Sequence, residues 1–275
     1  MRQAVEDIVQ AHGLSQRRAC DLLGAHRSMV RYRCRRDRQD ALRAQVRAIA
    51  AARPRFGYRR VHAVLLADGH RINHKRVQRL YREERLQLPR RRGRKRGIGR
   101  VREMLRAERP HQRWHMDFVS DSFSDGRRFR ALTIVDAFSR LSPGIEVARS
   151  LPAQRVIRFL EQLVLRYGKP DAITVDNGPE FTSRAMIRWC RERGIHLDFI
   201  DPGRPMQNGH VESFNGKFRD ECLSQTWFVD LDDASSTVEA WRNDYNTRRP
   251  HSALGNIPPQ AFLDRFHAGQ LGHVA

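Results

Sequence analysis

The sequence predicts an α/β protein: a mixed five-stranded sheet covered by helices, preceded by an all-α region. Three observations carry that expectation. The formal charge of +21 sits at one end, where residues 1–106 hold 30 Lys plus Arg against 9 Asp plus Glu. Residues 107–275 hold 22 of each and are electrically balanced. The apolar period also changes near Pro110, from helical spacing to short alternating runs, and beyond about residue 150 helix and strand patterns alternate.

A chain of 275 residues can form one sizeable core plus one or two small modules. Its charge asymmetry points to a polyanion-binding segment joined to a neutral body, with nucleic acid the polyanion to expect. An anionic membrane would call for an amphipathic anchor, which the sequence lacks. No apolar run approaches the ~18–20 residues of a membrane span, and the N-terminus has no apolar signal core. Cys20, Cys34, Cys190 and Cys222 form no C-x-x-C pair, which fits reduced thiols in the cytoplasm. His12, Cys20, His26 and Cys34 are spaced too widely and regularly for the usual zinc ligand pairs.

Residues 1–35 read as short helices. Ser15 is placed to cap one that carries Ala19, Leu22 and Leu23 on one side. Gly24 breaks it, and a basic helix over 27–33 follows with Arg27, Arg31 and Arg33. Helix, glycine turn and basic helix is the helix-turn-helix pattern, whose second helix enters a DNA major groove. A second module spans 40–88. It has a helix over 40–52, a break at Pro54, an apolar face of Val61, Val64 and Leu65, and a stop at Asp68-Gly69. Asn73 can cap a last helix with Val77, Leu80 and Tyr81 inside and Lys75, Arg76, Arg79 and Arg82 outside, a one-sign face that DNA would complement. Residues 89–106 form a basic linker whose Arg91, Arg92, Arg94, Lys95 and Arg96 can follow a phosphate backbone.

The body covers 107–268. Residues 114–119, 129–136 and 145–148 read as three strands in hairpin order, separated by Asp125-Gly126 and Ser142-Pro143-Gly144. A helix follows with Val156, Phe159, Leu160, Leu163 and Val164 at helical spacing. Residues 172–175 then form a buried strand, 183–193 a helix and 196–200 a fifth strand.

Three carboxylates stand out. Asp117 lies within the first strand. Asp176 directly follows an apolar strand, at the end where open α/β sheets bind ligands. Taken alone, an Asp there more often stabilises a turn. Glu212 lies on a helix that can be read by angle. At 100° per residue Val211, Phe214, Phe218 and Cys222 make one apolar stripe, and Asn208, Glu212, Asn215 and Arg219 make a polar one beside it. Carboxylates from separate elements repel unless a cation joins them, and hard oxygen donors suit Mg²⁺ or Mn²⁺. Two such ions can serve phosphoryl displacement at one site. Asn208, Asn215, Lys217 and Arg219 are expected to touch DNA beside the carboxylates.

D-N-G-P-E-F (176–181), a gap of 35 residues between Asp176 and Glu212, the Q-N-G-H-V-E-S-F-N-G-K block (207–217) and Y-N-T-R-R-P-H-S-A-L-G (245–255) together resemble the OrfB-type transposases of bacterial insertion sequences. These belong to the DDE superfamily with retroviral integrases. The resemblance covers nearly the whole chain and implies an RNase H-like integrase core with its metal-binding triad on Asp117, Asp176 and Glu212. It implies strand transfer by attack of a 3′-hydroxyl on a phosphodiester, and a structural or DNA-contacting role for Arg249, Pro250 and His251. It also implies double-stranded DNA as partner, an oligomer on DNA, association with the nucleoid, and a DNA-binding product of an upstream frame, separate or fused. Two alternatives stay open: a DNA-binding regulator without catalysis, and an RNase H-type metal nuclease that cuts without joining.

Overall fold

The structure is a computed structural model that describes residues 1–32, 39–89, 107–201 and 208–270. Its chain divides into two compact units, Met1–Arg43 and Ala44–Ala275.

The first unit holds α1 (Arg2–His12), α2 (Gln16–Leu22) and α3 (Arg27–Arg31) around a small core of Val5, Ala19, Cys20 and Val30. α1 stops at Gly13, whose φ of 63° lies in the left-handed region that glycine enters without a Cβ penalty. Ser15 Oγ caps α2 by accepting from the Arg18 amide at 3.3 Å. Leu22 departs from the expected inward face and is 61% exposed. In a helix this short, Ala19, Cys20 and Leu23 fill the inner side, and Leu22 is turned about 100° away from Leu23.

α4 (Asp40–Ala52) begins before the division, and the second unit continues with α5 (Tyr58–Ala67) and α6 (His74–Glu83). Val61, Leu65, Val77, Leu80 and Tyr81 are buried, and Tyr81 Oη donates to the Phe56 carbonyl at 2.9 Å. Asn73 Oδ1 caps α6 by accepting from the Lys75 amide at 2.8 Å. Helix, glycine turn and helix thus form where the apolar spacing and the cap direct.

The sheet comprises β1 (Arg113–Ser122), β2 (Arg128–Asp136), β3 (Ile145–Ala148), β4 (Ala172–Val175) and β5 (His196–Phe199), in the order β3-β2-β1-β4-β5. The first three strands pair antiparallel, while β4 and β5 join parallel through helical crossovers, as long connections require. α7 (Ala153–Tyr167) and α8 (Arg184–Glu192) cover one face, where Trp114, Met116, Leu132, Ile134, Ile173 and Val175 pack with Val156, Leu160 and Met186. α9 (Gly209–Glu221) and α10 (Leu231–Thr247) cover the other, where Val119, Phe129, Ala131 and Val135 meet Phe214, Phe218, Val238 and Tyr245. The period of two along β1 therefore sends Trp114 and Met116 to the first core and leaves Asp117 on the side of α9. α11 (Pro259–His267) closes the described chain.

Candidate active site

Asp117 stands opposite Thr133 in the β1–β2 register, at the middle of the sheet. Its Oδ1 accepts from the Phe118 amide at 2.7 Å, and its Oδ2 accepts from Asn215 Nδ2 at 2.8 Å. Asn215 is itself held, because Thr133 Oγ1 donates to its Oδ1 at 2.8 Å. Burial holds the Asp117 carboxyl above the usual carboxylate range, and the charges of Asp176 and Glu212 push it the same way against the two hydrogen bonds. Both distant carboxylates therefore act on Asp117.

Asp176 follows β4, and its Oδ1 accepts from the Gly178 amide at 3.1 Å. A Cβ on residue 178 would lie 3.0 Å from that oxygen, so glycine lets the loop fold tightly around the carboxylate. The rest of the motif anchors this loop. Asn177 Nδ2 donates to the Ile200 carbonyl at 3.1 Å, and Thr182 Oγ1 to the Gly178 carbonyl at 3.2 Å. Phe181 is buried and stacks on Phe118 at 4.9 Å between ring centroids. Arg130 lies 4.1 Å above the Phe118 ring and pairs with Glu180. Ser183 Oγ caps α8 through the Met186 amide at 3.2 Å.

Glu212 projects from the first turn of α9 and is exposed. That helix is seated by Val211, Phe214, Phe218 and Cys222, all buried, as the angular reading expects. Asp117, Asp176 and Glu212 thus come from a strand, a loop and a helix to one region. Among the described residues, no three His, Cys, Asp or Glu side chains are grouped tightly enough to hold a metal ion. The carboxylates interact through space without forming a closed cage.

Two polar residues expected to touch DNA have other partners. Asn208 is only 3% exposed; its Oδ1 accepts from His115 Nδ1 at 2.9 Å, and its Nδ2 donates to the Met116 carbonyl at 3.3 Å. Asn215 is 9% exposed and orients Asp117. Both amides tie α9 to the sheet. Arg219 is exposed, and Lys217 is half-buried with Nζ donating to Ser213 Oγ at 3.1 Å. On α6, Lys75, Arg76, Arg79 and Arg82 all face outward, with Arg79 3.5 Å from Glu83. Arg31 is exposed and its Nε donates to Gln16 Oε1 at 2.9 Å, whereas Arg27 is half-buried. Arg33, Arg91, Arg92, Arg94, Lys95 and Arg96 lie outside the described residues.

The Y-N-T-R-R-P-H block is built into the core. Asn246 Oδ1 accepts from the Ser142 amide, and its Nδ2 donates to the Ser142 carbonyl, each at 2.9 Å. Arg249 is 1% exposed and grips both oxygens of Glu221 at 2.6 Å. His251 meets the Tyr245 ring edge-on at 4.6 Å. Glu221, Thr133 and Arg130 gave no local signal in the sequence, because each partner lies far along the chain.

The Integrase core domain family matches this chain in two forms, over residues 107–205 and 193–259, and the HTH-like domain family matches residues 37–95. An insertion element IS407 uncharacterized 31.7 kDa protein of Burkholderia multivorans is 44% identical over 93% of this chain and 92% of its own length. An insertion element IS476 uncharacterized 39.2 kDa protein of Xanthomonas euvesicatoria is 42% identical over 99% of this chain and 79% of its own length. Among solved structures, a simian T-cell lymphotropic virus intasome, in complex with a PP2A regulatory subunit, aligns at a TM-score of 0.52 and 16% identity. That alignment covers 80% of this chain and 74% of the intasome chain, and it shows a shared fold.

Proposed function

Because the chain belongs to the OrfB-type transposases of bacterial insertion elements, whose work is DNA transposition, we propose that Asp117, Asp176 and Glu212 carry out its strand cleavage and strand transfer. The observation that carries this reading is that Asp117, half-buried and held by Asn215, takes the charge of both Asp176 and Glu212. Like charges gathered from three elements destabilise one another unless a cation joins them. Their donor set is all hard oxygen, which fits Mg²⁺ or Mn²⁺ and two ions per site. Such ions supply Lewis acidity and lower the proton affinity of a bound hydroxyl.

The chain's own residues set the geometry. Asn215 and the Phe118 amide fix the Asp117 oxygens, Gly178 fixes Asp176, and the buried stripe of α9 sets the angle at which Glu212 projects. The reaction is an in-line displacement in which a DNA 3′-oxygen forms a bond to a target phosphorus while the target's own 3′-oxygen leaves with a proton. The exposed cations of α6 and Arg219 hold the duplex, Arg219 at the DNA end. Under this reading the protein works as an oligomer on DNA together with the product of an upstream frame.

A strand-transfer assay on a labelled transposon end tests the proposal. Asp117→Asn, Asp176→Asn and Glu212→Gln should each abolish cleavage and joining while leaving duplex binding near that of the wild type. Near-normal joining by a variant removes that residue from the site. Cut but unjoined products from the wild type would instead make the protein a nuclease.

A further inference from the structure

α9 has a second flank, turned about 100–160° from Glu212, that carries His210, Ser213 and Lys217. This flank borders a cavity of about 360 Å³ whose wall includes Arg60 from α5, Arg140 from the turn after β2, Ser213, Lys217, Arg249 and His251. Among the described residues no carboxylate lines it. Behind it, Glu221 is held by Arg249 at 2.6 Å and approached by Arg60 at 3.5 Å. Four cations thus converge, two of them sharing Glu221.

The wall also has an unmet polar atom. His251 is 5% exposed, and its Nε2 is buried with no hydrogen-bond partner among the described residues. Buried polar atoms are nearly always satisfied, so an orphan of this kind calls for an account. Burial, and then Arg249 and Lys217, push the His251 imidazole down to about 2, which leaves it neutral. Its backbone hydrogen bond to Tyr245 keeps the single ring proton on Nδ1, so Nε2 is left as an acceptor. Arg140 donates to Nδ1 of His210, another imidazole kept neutral. The strain of gathered charge shows on Lys217, whose ammonium is pushed down to about 8 by burial first and by Arg249 and Arg60 next. An anion in the cavity would relieve that repulsion.

We propose that this cavity is an anion site that receives a phosphate of a DNA strand, with Lys217, Arg60 and Arg140 supplying charge and Ser213 supplying a neutral hydrogen bond. The site is distinct from the three carboxylates, which an anion would repel, and it lies on the opposite flank of the same helix. A cavity ringed by flexible cations and a serine hydroxyl suits a phosphodiester, whose charge is spread over oxygens that accept several bonds at once. The assignment to DNA rests on the transposase reading, whereas the anion chemistry rests on the cavity alone.

The test uses the full chain with Lys217→Met, which keeps the apolar stem, and Lys217→Arg, which restores the charge. Binding of a DNA duplex is measured against salt by fluorescence anisotropy, and inorganic phosphate is added in thermal melts at constant ionic strength. Loss of one phosphate contact should lower the slope of log K against log salt by about 0.9 for Lys217→Met. Lys217→Arg should return it, and phosphate should raise the melting temperature of the wild type more than that of Lys217→Met. Should Lys217→Met fold poorly, Lys217→Gln carries the salt comparison, and Ser213→Ala, at an exposed hydroxyl, carries only the phosphate shift, since removing a neutral group leaves the salt slope alone. An unchanged salt slope with a retained phosphate shift overturns the assignment to DNA, and loss of neither overturns the site. A wild-type protein that joins no DNA but shows the slope change keeps this site and loses the carboxylate chemistry.

Discussion

On one flank of α9, Asn215 and Glu212 face a half-buried carboxylate on β1. On the other, Ser213 and Lys217 face a cavity of arginines. The helix is seated the same way for both, by Val211, Phe214 and Phe218 in the core. The flanks differ in which charge they gather and in how it is balanced. On the acidic flank an amide fixes one oxygen of Asp117, and Asp176 and Glu212 both push its carboxyl up. On the basic flank a single carboxylate, Glu221, is shared by Arg249 and Arg60. One helix thus borders two sites of opposite electrostatic demand, one proposed to take divalent cations and the other phosphate.

The largest effect short of the carboxylates themselves is expected at Arg249, which anchors the basic flank. Its guanidinium is almost fully buried against Glu221. Removing one partner of a buried ion pair strands the other and costs about 3–5 kcal/mol. Arg249→Met should lower stability in chemical denaturation by that order. Arg249→Met with Glu221→Gln should recover part of it, since only Arg60, which is partly exposed, is then left without its acid. If the double variant is no better than the single one, Arg249 acts by packing against Tyr245 and Phe56, whose rings lie 5.7 and 5.8 Å from its guanidinium carbon.

On the acidic flank, Asn215→Ala leaves all three carboxylates in place and removes only the amide that orients Asp117. A lost outer partner of a metal ligand costs roughly 10–100-fold in activity or metal affinity. Strand transfer should fall by that factor, with the Mn²⁺ concentration needed for half-maximal rate rising and duplex affinity unchanged. A matched fall in duplex binding would return Asn215 to the DNA-contacting role that its polar stripe suggests.

The two flanks were not equally legible in the sequence. The acidic one was readable, because period two along β1 and the 100° step along α9 place Asp117, Glu212 and the apolar stripe with no knowledge of contacts. The same reading could not tell a polar side chain that meets solvent from one that meets a polar partner. Asn208 and Asn215 therefore read as DNA contacts, although their amides are spent on His115, Met116 and Asp117. The basic flank was barely legible, since Arg60, Arg140, Lys217 and Arg249 come from four separate stretches and only folding brings them together. The second core was legible for the same reason as the acidic flank, and Leu22 was not, because a seven-residue helix offers two adjacent leucines and buries one.

The smallest effect is a pH slope, and it separates the flanks by sign. Burial, and then Asp176 and Glu212, hold the folded Asp117 carboxyl above its unfolded value. A carboxyl raised on folding binds its proton more tightly in the native state, so stability is highest at low pH. It falls as pH rises from the unfolded value through the folded one. The metal-free wild type should therefore lose more stability than Asp117→Asn as pH rises across the carboxylate range, and the difference curve should level off above it. The comparison with Asp117→Asn cancels the other buried acid, Asp136, which burial also raises. Mn²⁺, bound only by the folded state, stabilises by RT ln(1 + [L]/Kd) and should shrink or reverse the difference. Lys217 gives a slope of the opposite sign. An ammonium pushed down on folding releases its proton early, so its unfavourable contribution is full at neutral pH and fades as pH rises through about 8. Lys217→Met should consequently be more stable than wild type at pH 7 and should lose that advantage at higher pH, in phosphate-free buffer. Urea melts of wild type, Asp117→Asn and Lys217→Met at a series of pH values, in EDTA and in Mn²⁺, check both slopes. An Asp117→Asn protein that tracks the wild type across the acid range would mean that Asp117 carries no excess charge from its neighbours. The contrast between the flanks would then rest on the basic one alone.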